Sequence, residues 1–363
     1  VSLTPMLSFV VPAFQVAPYL TECLDSLLAD PDVGDEVEVV AVDDCSPDET
    51  GDLLDAYAER DPRLRVVHLA TNVGLGRARN AGLEHARGEY VWFVDGDDWL
   101  PAGVVPPVLA RLGHRRPDVL LLDHVEVRPD GSMLGTGSGP VLRSVVEPGP
   151  VGERPELLGL NLATSVCTKV IRRGLLDEAG LRFPPGWYED CAFAYPLLLA
   201  AARIDTLDLV GYCYRQRPAG AITKSCSAKH FDIFEQYERM WGRIDPALPA
   251  DGSLRPELFR LMVDHLLVIA GNERRLPPGL RRDFFRQVVA QYRYRLPAGG
   301  YRLPGGVTGW KHRLVRHNAY WAYATLRLGW RGMALRPRLP GGRRLVGRRV
   351  SAAPPVDAQN HPN

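Results

Sequence analysis

Asp95-Gly96-Asp97-Asp98 places three carboxylates within four residues, directly after the apolar run Tyr90-Val-Trp-Phe-Val94. Aromatic and β-branched residues in such a run predict a strand buried on both faces. Carboxylates packed together repel and lose hydration unless a cation or a proton compensates. Asp95 and Asp97, with a glycine between them, can present oxygens to one hard divalent ion that also holds substrate phosphates. Mg2+ or Mn2+ suits such an oxygen-only site. The plainer alternative is an acidic, solvated turn in which Asp98 caps the next helix.

Three more clusters carry chemistry. Asp43-Asp44-Cys-Ser-Pro-Asp48 ends an apolar run. A carboxylate there can accept from a pyrimidine N3–H or a ribose hydroxyl, and Ser46 or Asp48 can cap the helix that follows. Asn72-Val-Gly-Leu-Gly-Arg-Ala-Arg-Asn80 lacks the third glycine of a dinucleotide fingerprint, which argues against a dehydrogenase. Arg77 and Arg79 sit where a helix dipole prefers anions. Arg79 therefore needs a diphosphate opposite, or Asp95 or Asp97 as a scaffolding partner. In Trp187-Tyr-Glu-Asp190, Asp190 can act as general base on an acceptor hydroxyl with Glu189 in support, or both can simply complement a helix dipole. Arg215 and Arg217 share a strand face by the period of two, either as a pyrophosphate clamp or as exposed strand residues.

The elements that must position these residues are legible as an alternation. Apolar runs predict strands over 7–11 (stopped by Pro12), 37–42, 64–69, 90–94 and 119–125. Helical spacing predicts helices over 19–28, 48–60, 74–87 and 101–112. This is the signature of parallel β-α-β units with right-handed crossovers, whose ligands sit beyond the carboxyl ends of the strands. Residues 126–160 read as a loop or irregular hairpin, 165–171 and 207–215 as strands, and 189–202 as a helix. From about 228 the pattern turns helical, over 230–243, 256–270 and 280–294.

Together these motifs resemble the family 2 glycosyltransferases. The resemblance rests on Phe9-Val-Val-Pro-Ala-Phe-Gln15, Val42-Asp-Asp-Cys-Ser-Pro-Asp48, Asn72-Val-Gly with Ala78-Arg-Asn80, Phe93-Val-Asp-Gly-Asp-Asp98 and Glu189-Asp190. It implies the GT-A fold, an α/β Rossmann-like and mostly parallel sheet, here with a helical C-terminal extension. It implies inverting, metal-dependent transfer of a sugar from a nucleoside diphosphate, UDP foremost, to a hydroxyl of a glycan, polyol-phosphate or lipid-linked surface-polymer acceptor. Pro12 and Asp44 would contact the base, Asp95 would lie near the ribose and diphosphate, Asp97 with Asp95 would bind the metal, and Asp190 would be the base. Phe14, Asp43, Asn72, Arg79, Asn80, Arg215 and Arg217 complete the expected donor site. Phe14 and Gln15 stand where the motif commonly has tyrosine and asparagine, so one polar contact is lost and an aromatic wall kept.

Composition bounds the rest. The six cysteines form no C-x-x-C pair, so they read as buried thiols of a reducing cytosol. No signal sequence or membrane-spanning run is expected. Residues 301–350 hold twelve basic and no acidic side chains, whereas residues 1–300 hold 32 basic against 42 acidic, a net of −10. Trp310, Leu314, Trp321 and Leu328 recur at helical spacing among these arginines. Such a helix can lie on an anionic membrane or a polyanionic acceptor, or pack on the acidic body with its arginines solvated. The expected organisation is a catalytic domain over 1–228, a helical region over 229–339 and a disordered tail over 340–363, at the inner face of the cell membrane. Nucleic acid is not an expected partner, since no binding module is present. A nucleotidyltransferase would want a Gly-rich basic signature after the first strand, which Phe14-Gln-Val-Ala17 lacks. A non-catalytic sugar-nucleotide module would not need Glu189 and Asp190.

Overall fold

Strand and helix alternate as β1 (Leu7–Ala13), α1 (Ala17–Leu28), β2 (Val37–Asp43), α2 (Thr50–Arg60), β3 (Leu64–His68), α3 (Leu75–His85), β4 (Tyr90–Phe93), α4 (Val105–Arg115) and β5 (Val119–Val127). The computed structural model describes residues 4–30, 33–159, 164–217, 225–246, 248, 252 and 254–326. β1 to β4 pair in parallel in the order β3-β2-β1-β4. Every residue of β1 and β2 is buried, as helices covering both faces of a parallel sheet require.

Pro12 does not stop β1. Its carbonyl accepts from Gly96 N at 3.2 Å, which turns this residue toward β4 but beyond Phe93, the last paired residue there. The missing proline N–H therefore costs no ladder bond. The cap before α2 falls to Glu49, whose side chain does not cap, rather than to Ser46 or Asp48. Ser46 N instead donates to Asp43 Oδ1 at 3.0 Å. α3 ends two residues short of the expected position because Arg87 N is taken by Glu38 Oε1 at 2.6 Å.

β5 does not pair with β4. The short β7 (Lys169–Arg172) lies between them, antiparallel to both. Residues 126–160 close a hairpin from β5 to β6 (Met133–Gly135) and add α5 (Gly139–Ser144). The expected strand over 165–171 begins instead as a 3-10 turn, Val166–Thr168. After α6 (Arg173–Glu178) and α7 (Glu189–Ala200), β8 (Ile204–Arg215) runs parallel along the other edge of β5.

α8 (Asp232–Ile244), α9 (Arg255–Gly271), α10 (Arg281–Arg295) and α11 (Gly306–Arg316) follow. Their shared core includes Tyr237, Trp241, Phe259, Met262 and Phe284. α11 ends at Arg316, and Asn318 adopts a left-handed φ of 53°, so the aromatic helix expected from Trp310 onward is broken. Its packed face is Gly309, His312 and Val315, whereas Trp310 is exposed. The buried His312 decides that face, with Nε2 2.8 Å from Asp264 Oδ1 and Nδ1 2.9 Å from the Tyr301 hydroxyl. Residues 321–326 are helical and belong to a second unit. Leu328 and the expected tail over 340–363 lie outside the described residues. Among the described residues no helix is long and apolar enough to cross a membrane.

Candidate active site

The carboxyl ends of β1, β2 and β4 open on one cleft of about 570 Å³, closed on another side by the start of α7. Asp44 follows β2, and its two oxygens accept from Val73 N (2.7 Å) and Gly74 N (2.9 Å). Gly74 has φ +87°, a conformation that favours glycine, and this aims its N–H at Asp44. Burial raises the Asp44 pKa, and these two N–H groups oppose the shift. Gly76 is needed for a different reason. A Cβ there would stand 2.8 Å from Pro184 O, so the segment before α7 could not dock on α3.

That docking fixes the acid cluster. Arg79, on the second turn of α3, is 1% exposed. Its Nη1 donates to Glu189 Oε1 (2.8 Å) and Asp190 Oδ1 (2.7 Å), and its Nη2 to Asp95 Oδ1 (2.8 Å). Its face lies over the Phe183 ring at 5.3 Å. Asn80 clasps the Phe183 backbone from both amide atoms, at 2.8 and 2.9 Å. One buried cation thus serves three carboxylates. Asp95 and Asp190 keep about a quarter of their side chains exposed (23% and 26%), whereas Glu189 keeps 5%. Burial and the neighbouring Asp190 push Glu189 up to about 8, so it holds a proton at neutral pH. Asp190 is raised by burial while Arg79 pulls it back. Of the two α7 carboxylates, Asp190 is the more exposed, and it lines the cleft.

A second cluster sits on β8. Asp98 is buried and does not cap a helix. It accepts from the Tyr212 hydroxyl (2.6 Å) and from Arg215 N (2.7 Å), which locks the acidic turn to β8. The Tyr212 oxygen in turn accepts from Asp95 N at 3.2 Å. Arg217 Nε forms an ion pair with Asp97 Oδ2 at 2.7 Å, too bent for an aligned hydrogen bond. Arg215 Nε donates to the Asp97 carbonyl (2.8 Å), and its guanidinium stacks on Trp99 (4.3 Å) and Tyr19 (5.1 Å). Arg217 lies over the same Tyr19 ring, which confirms that the two arginines share a face.

Pro12, Phe14, Asp44, Asn72, Arg79, Asp95, Asp97, Glu189, Asp190, Arg215 and Arg217 all line the cleft. Asp43 and Asn80 do not. Asp43 is turned to Ser46 N and to His68 Nδ1 (3.3 Å), and Asn80 to Phe183. Sequence reasoning missed Tyr188, His124, His265 and Arg275 as lining residues. Tyr188 stands inside the Trp187–Asp190 motif and was within reach. His265 lies on α9, where no motif marks it.

Among the described residues no group of three or more His, Cys, Asp and Glu side chains is arranged to hold a metal. Asp95 and Asp97 nevertheless fit a hard cation that takes its other ligands from water and phosphate. Burial and the adjacent Asp95 raise Asp97, a repulsion that a cation relieves. Each of the two already pairs one oxygen with an arginine, Asp95 Oδ1 with Arg79 and Asp97 Oδ2 with Arg217.

A parallel β3-β2-β1-β4 sheet, an antiparallel β7 beyond it and acids at the strand ends define a fold of the GT-A type. A crystal structure of S. aureus TarS 1-349 in complex with UDP has this fold, with a TM-score of 0.61, 24% identity, and 80% of this chain and 81% of that one covered. Residues 8–176 match the profile of Glycosyl transferase family 2. It is 31% identical over 216 residues to the uncharacterized glycosyltransferase EpsJ of Bacillus subtilis, covering 59% of this chain and 62% of that protein. It is 32% identical over 234 residues to the poly(ribitol-phosphate) beta-N-acetylglucosaminyltransferase TarS of Staphylococcus aureus, covering 63% of this chain and 38% of that protein. The chain thus spans less than two thirds of the length of either relative.

Proposed function

We propose that this protein is an inverting glycosyltransferase that moves a sugar from a nucleoside diphosphate, UDP foremost, to a hydroxyl of a bacterial surface polymer or its precursor. One observation carries the reading. Asp190 and Asp95, 95 positions apart in the chain, meet on one guanidinium at the edge of a cleft that also holds Asp97. The donor lies along Pro12, Phe14, Asp44 and Asn72, with the ribose and diphosphate near Asp95. Asp190 takes the proton from the attacking hydroxyl, which would otherwise be too weak a nucleophile. Attack from the face opposite the diphosphate inverts the anomeric centre. Arg79 holds Asp190 and Asp95 in fixed relation, so both substrates are positioned before reaction. Mg2+ or Mn2+, held by Asp97 and Asp95, supplies positive charge to the departing diphosphate.

The relatives' names support a surface-polymer acceptor, and TarS binding UDP supports that nucleotide. The reading includes a catalytic part over 1–228, a helical part over 229–339, and work at the cytoplasmic face of the membrane, with the basic 301–350 segment touching anionic lipid. The test is a screen of nucleotide sugars with Mn2+. Slow hydrolysis that releases free sugar, accelerated by a polyol-phosphate or glycan acceptor, is the expected result. Binding with no sugar release from any donor would make the protein a sugar-nucleotide-binding module instead.

A further inference from the structure

The cleft does not end at Asp190. Beyond the start of α7 it continues into a wall built from α9 and the loop after it, where His265 and Arg275 stand with Tyr188 and Cys191. Tyr188 is the N-cap of α7 and adopts a left-handed φ of 65°, a costly conformation for a bulky residue. It is held there by its ring contacts and by its hydroxyl, 2.5 Å from His230 Nδ1. His230 Nε2 donates to Ser225 O (2.7 Å), so Nδ1 is the acceptor and the tyrosine gives it the proton. The phenol oxygen is left to accept from the Arg275 guanidinium. Asp232, whose charge also reaches Tyr188 and His230, is engaged by Trp187 N at 3.0 Å.

His265 is fixed in a similar way. Its Nδ1 lies 3.0 Å from the Tyr237 hydroxyl and 3.6 Å from Cys191 Sγ. Burial and the Arg275 charge keep the ring neutral, with a pKa of about 4. Nε2 forms no hydrogen bond with the described residues, and it is a donor in the tautomer whose Nδ1 accepts from Tyr237. This end of the cleft therefore carries a guanidinium and an imidazole, whereas the Asp95–Asp97 end carries carboxylates.

We infer that Arg275 and His265 form a subsite for an anionic group, phosphate or carboxylate, on the acceptor, with Tyr188 orienting the guanidinium. The inference rests on the glycosyl-transfer reading. The base must touch the acceptor hydroxyl, so residues flanking Asp190 on α7, and the groups packed on them, meet the acceptor and not the donor. A guanidinium pairs with such an anion through two N–H groups at once, and a neutral imidazole adds a third donor without bringing a proton to compete.

The test uses the full chain loaded with saturating UDP and Mg2+, so that the diphosphate site is filled. Glycerol 3-phosphate and glucuronate are titrated by ligand-observed NMR, with glycerol and glucose as neutral controls. Both neutral controls should bind much more weakly than at least one anion. Binding of the phosphate alone points to a polyol-phosphate acceptor, and of the uronate alone to an acidic glycan. Arg275→Gln should weaken the anion by about tenfold and His265→Phe by about threefold, as loss of a charged and of a neutral hydrogen bond implies. UDP affinity in each variant reports that the donor side is still folded, and the second variant carries the test if the first loses it. No anion binding to UDP-loaded wild type, or equal affinity in wild type and both variants, overturns the subsite and leaves the donor reading standing. Failure of the wild type to bind UDP at all overturns both.

Discussion

Two arginine–carboxylate clusters line the cleft, and they are built differently. On the α3 side one buried guanidinium, Arg79, serves Asp95, Glu189 and Asp190. On the β8 side two partly exposed guanidiniums, Arg215 and Arg217, attend the Asp97–Asp98 turn, and Asp98 is satisfied by a hydroxyl and a backbone N–H. In the first cluster burial and the neighbouring Asp190 keep a proton on Glu189, while the Arg79 and Lys169 charges oppose the rise that burial imposes on Asp190. In the second, burial with the Asp97 and Asp95 charges raises Asp98 well above the usual aspartate range, burial and Asp95 raise Asp97, and Arg215 is shared with Glu22. The first gathers its acids on one buried cation, and the second spreads them over two partly exposed ones.

The sharpest way to break this division is Asp190→Asn. It should lower kcat by at least about 10²-fold while leaving UDP binding intact, since a positioned base contributes that much or more. A variant that transfers sugar at near wild-type rate would assign the proton elsewhere. Next in size is Asp97→Asn, or chelation by EDTA. Either should reduce turnover on the order of 10²-fold, because charge on the leaving diphosphate goes uncompensated. Calorimetry with and without Mg2+ provides a readout apart from activity, and UDP affinity that ignores both the metal and Asp97 would remove that role.

Arg79→Met probes the first cluster alone. Breaking a buried pair strands carboxylates without their cation, at a cost of about 3–5 kcal/mol in stability by chemical denaturation. The acidic limb of kcat/KM tests the same point more gently. Asp190 must be ionised to act, and burial raises its pKa, so activity should rise with pH through a value above the usual aspartate range. In Arg79→Lys, whose single ammonium cannot reach all three acids, that limb should move further up. A limb in the ordinary aspartate range in both proteins would mean that Asp190 is better solvated than its surroundings indicate.

The part of the cleft at the strand ends was far more legible in the sequence than the part walled by α7 and α9, for a physical reason. Asp44, Asp95 and Asp97 sit at the ends of strands, so a few adjacent residues both build the strand and place the acid. β1, β2 and β4 were readable within two residues at either end. Arg79 was readable as a misplaced cation in search of an acid, though not as the shared partner of three. β7 was hard to place because four residues, Lys169-Val-Ile-Arg172, carry no sign of direction, and only pairing with β4 and β5 sets it antiparallel. Asp98 looked like a cap because its partners, Tyr212 and the Arg215 backbone, lie more than a hundred residues away. His265 and Arg275 were invisible, because their meaning comes from a helix packing beside α7 and not from their neighbours in the chain.

The finest discrimination between the clusters lies in Glu189→Gln. Glu189 is raised from the usual glutamate range to about 8, chiefly by burial. The unfolded chain releases this proton at the ordinary value, whereas the folded chain retains it. The stability that neutral Glu189 contributes is therefore complete below the usual glutamate range and is lost as pH rises through about 8. Glutamine carries no proton to lose, and its Oε1 can still accept from Arg79 Nη1. The melting temperature of wild type should fall more than that of Glu189→Gln between roughly pH 5 and pH 9, with the two curves closest at the acid end. Parallel curves would mean that Glu189 is ionised throughout and that Arg79 alone balances three charged neighbours. The two clusters would then differ in burial but not in protonation.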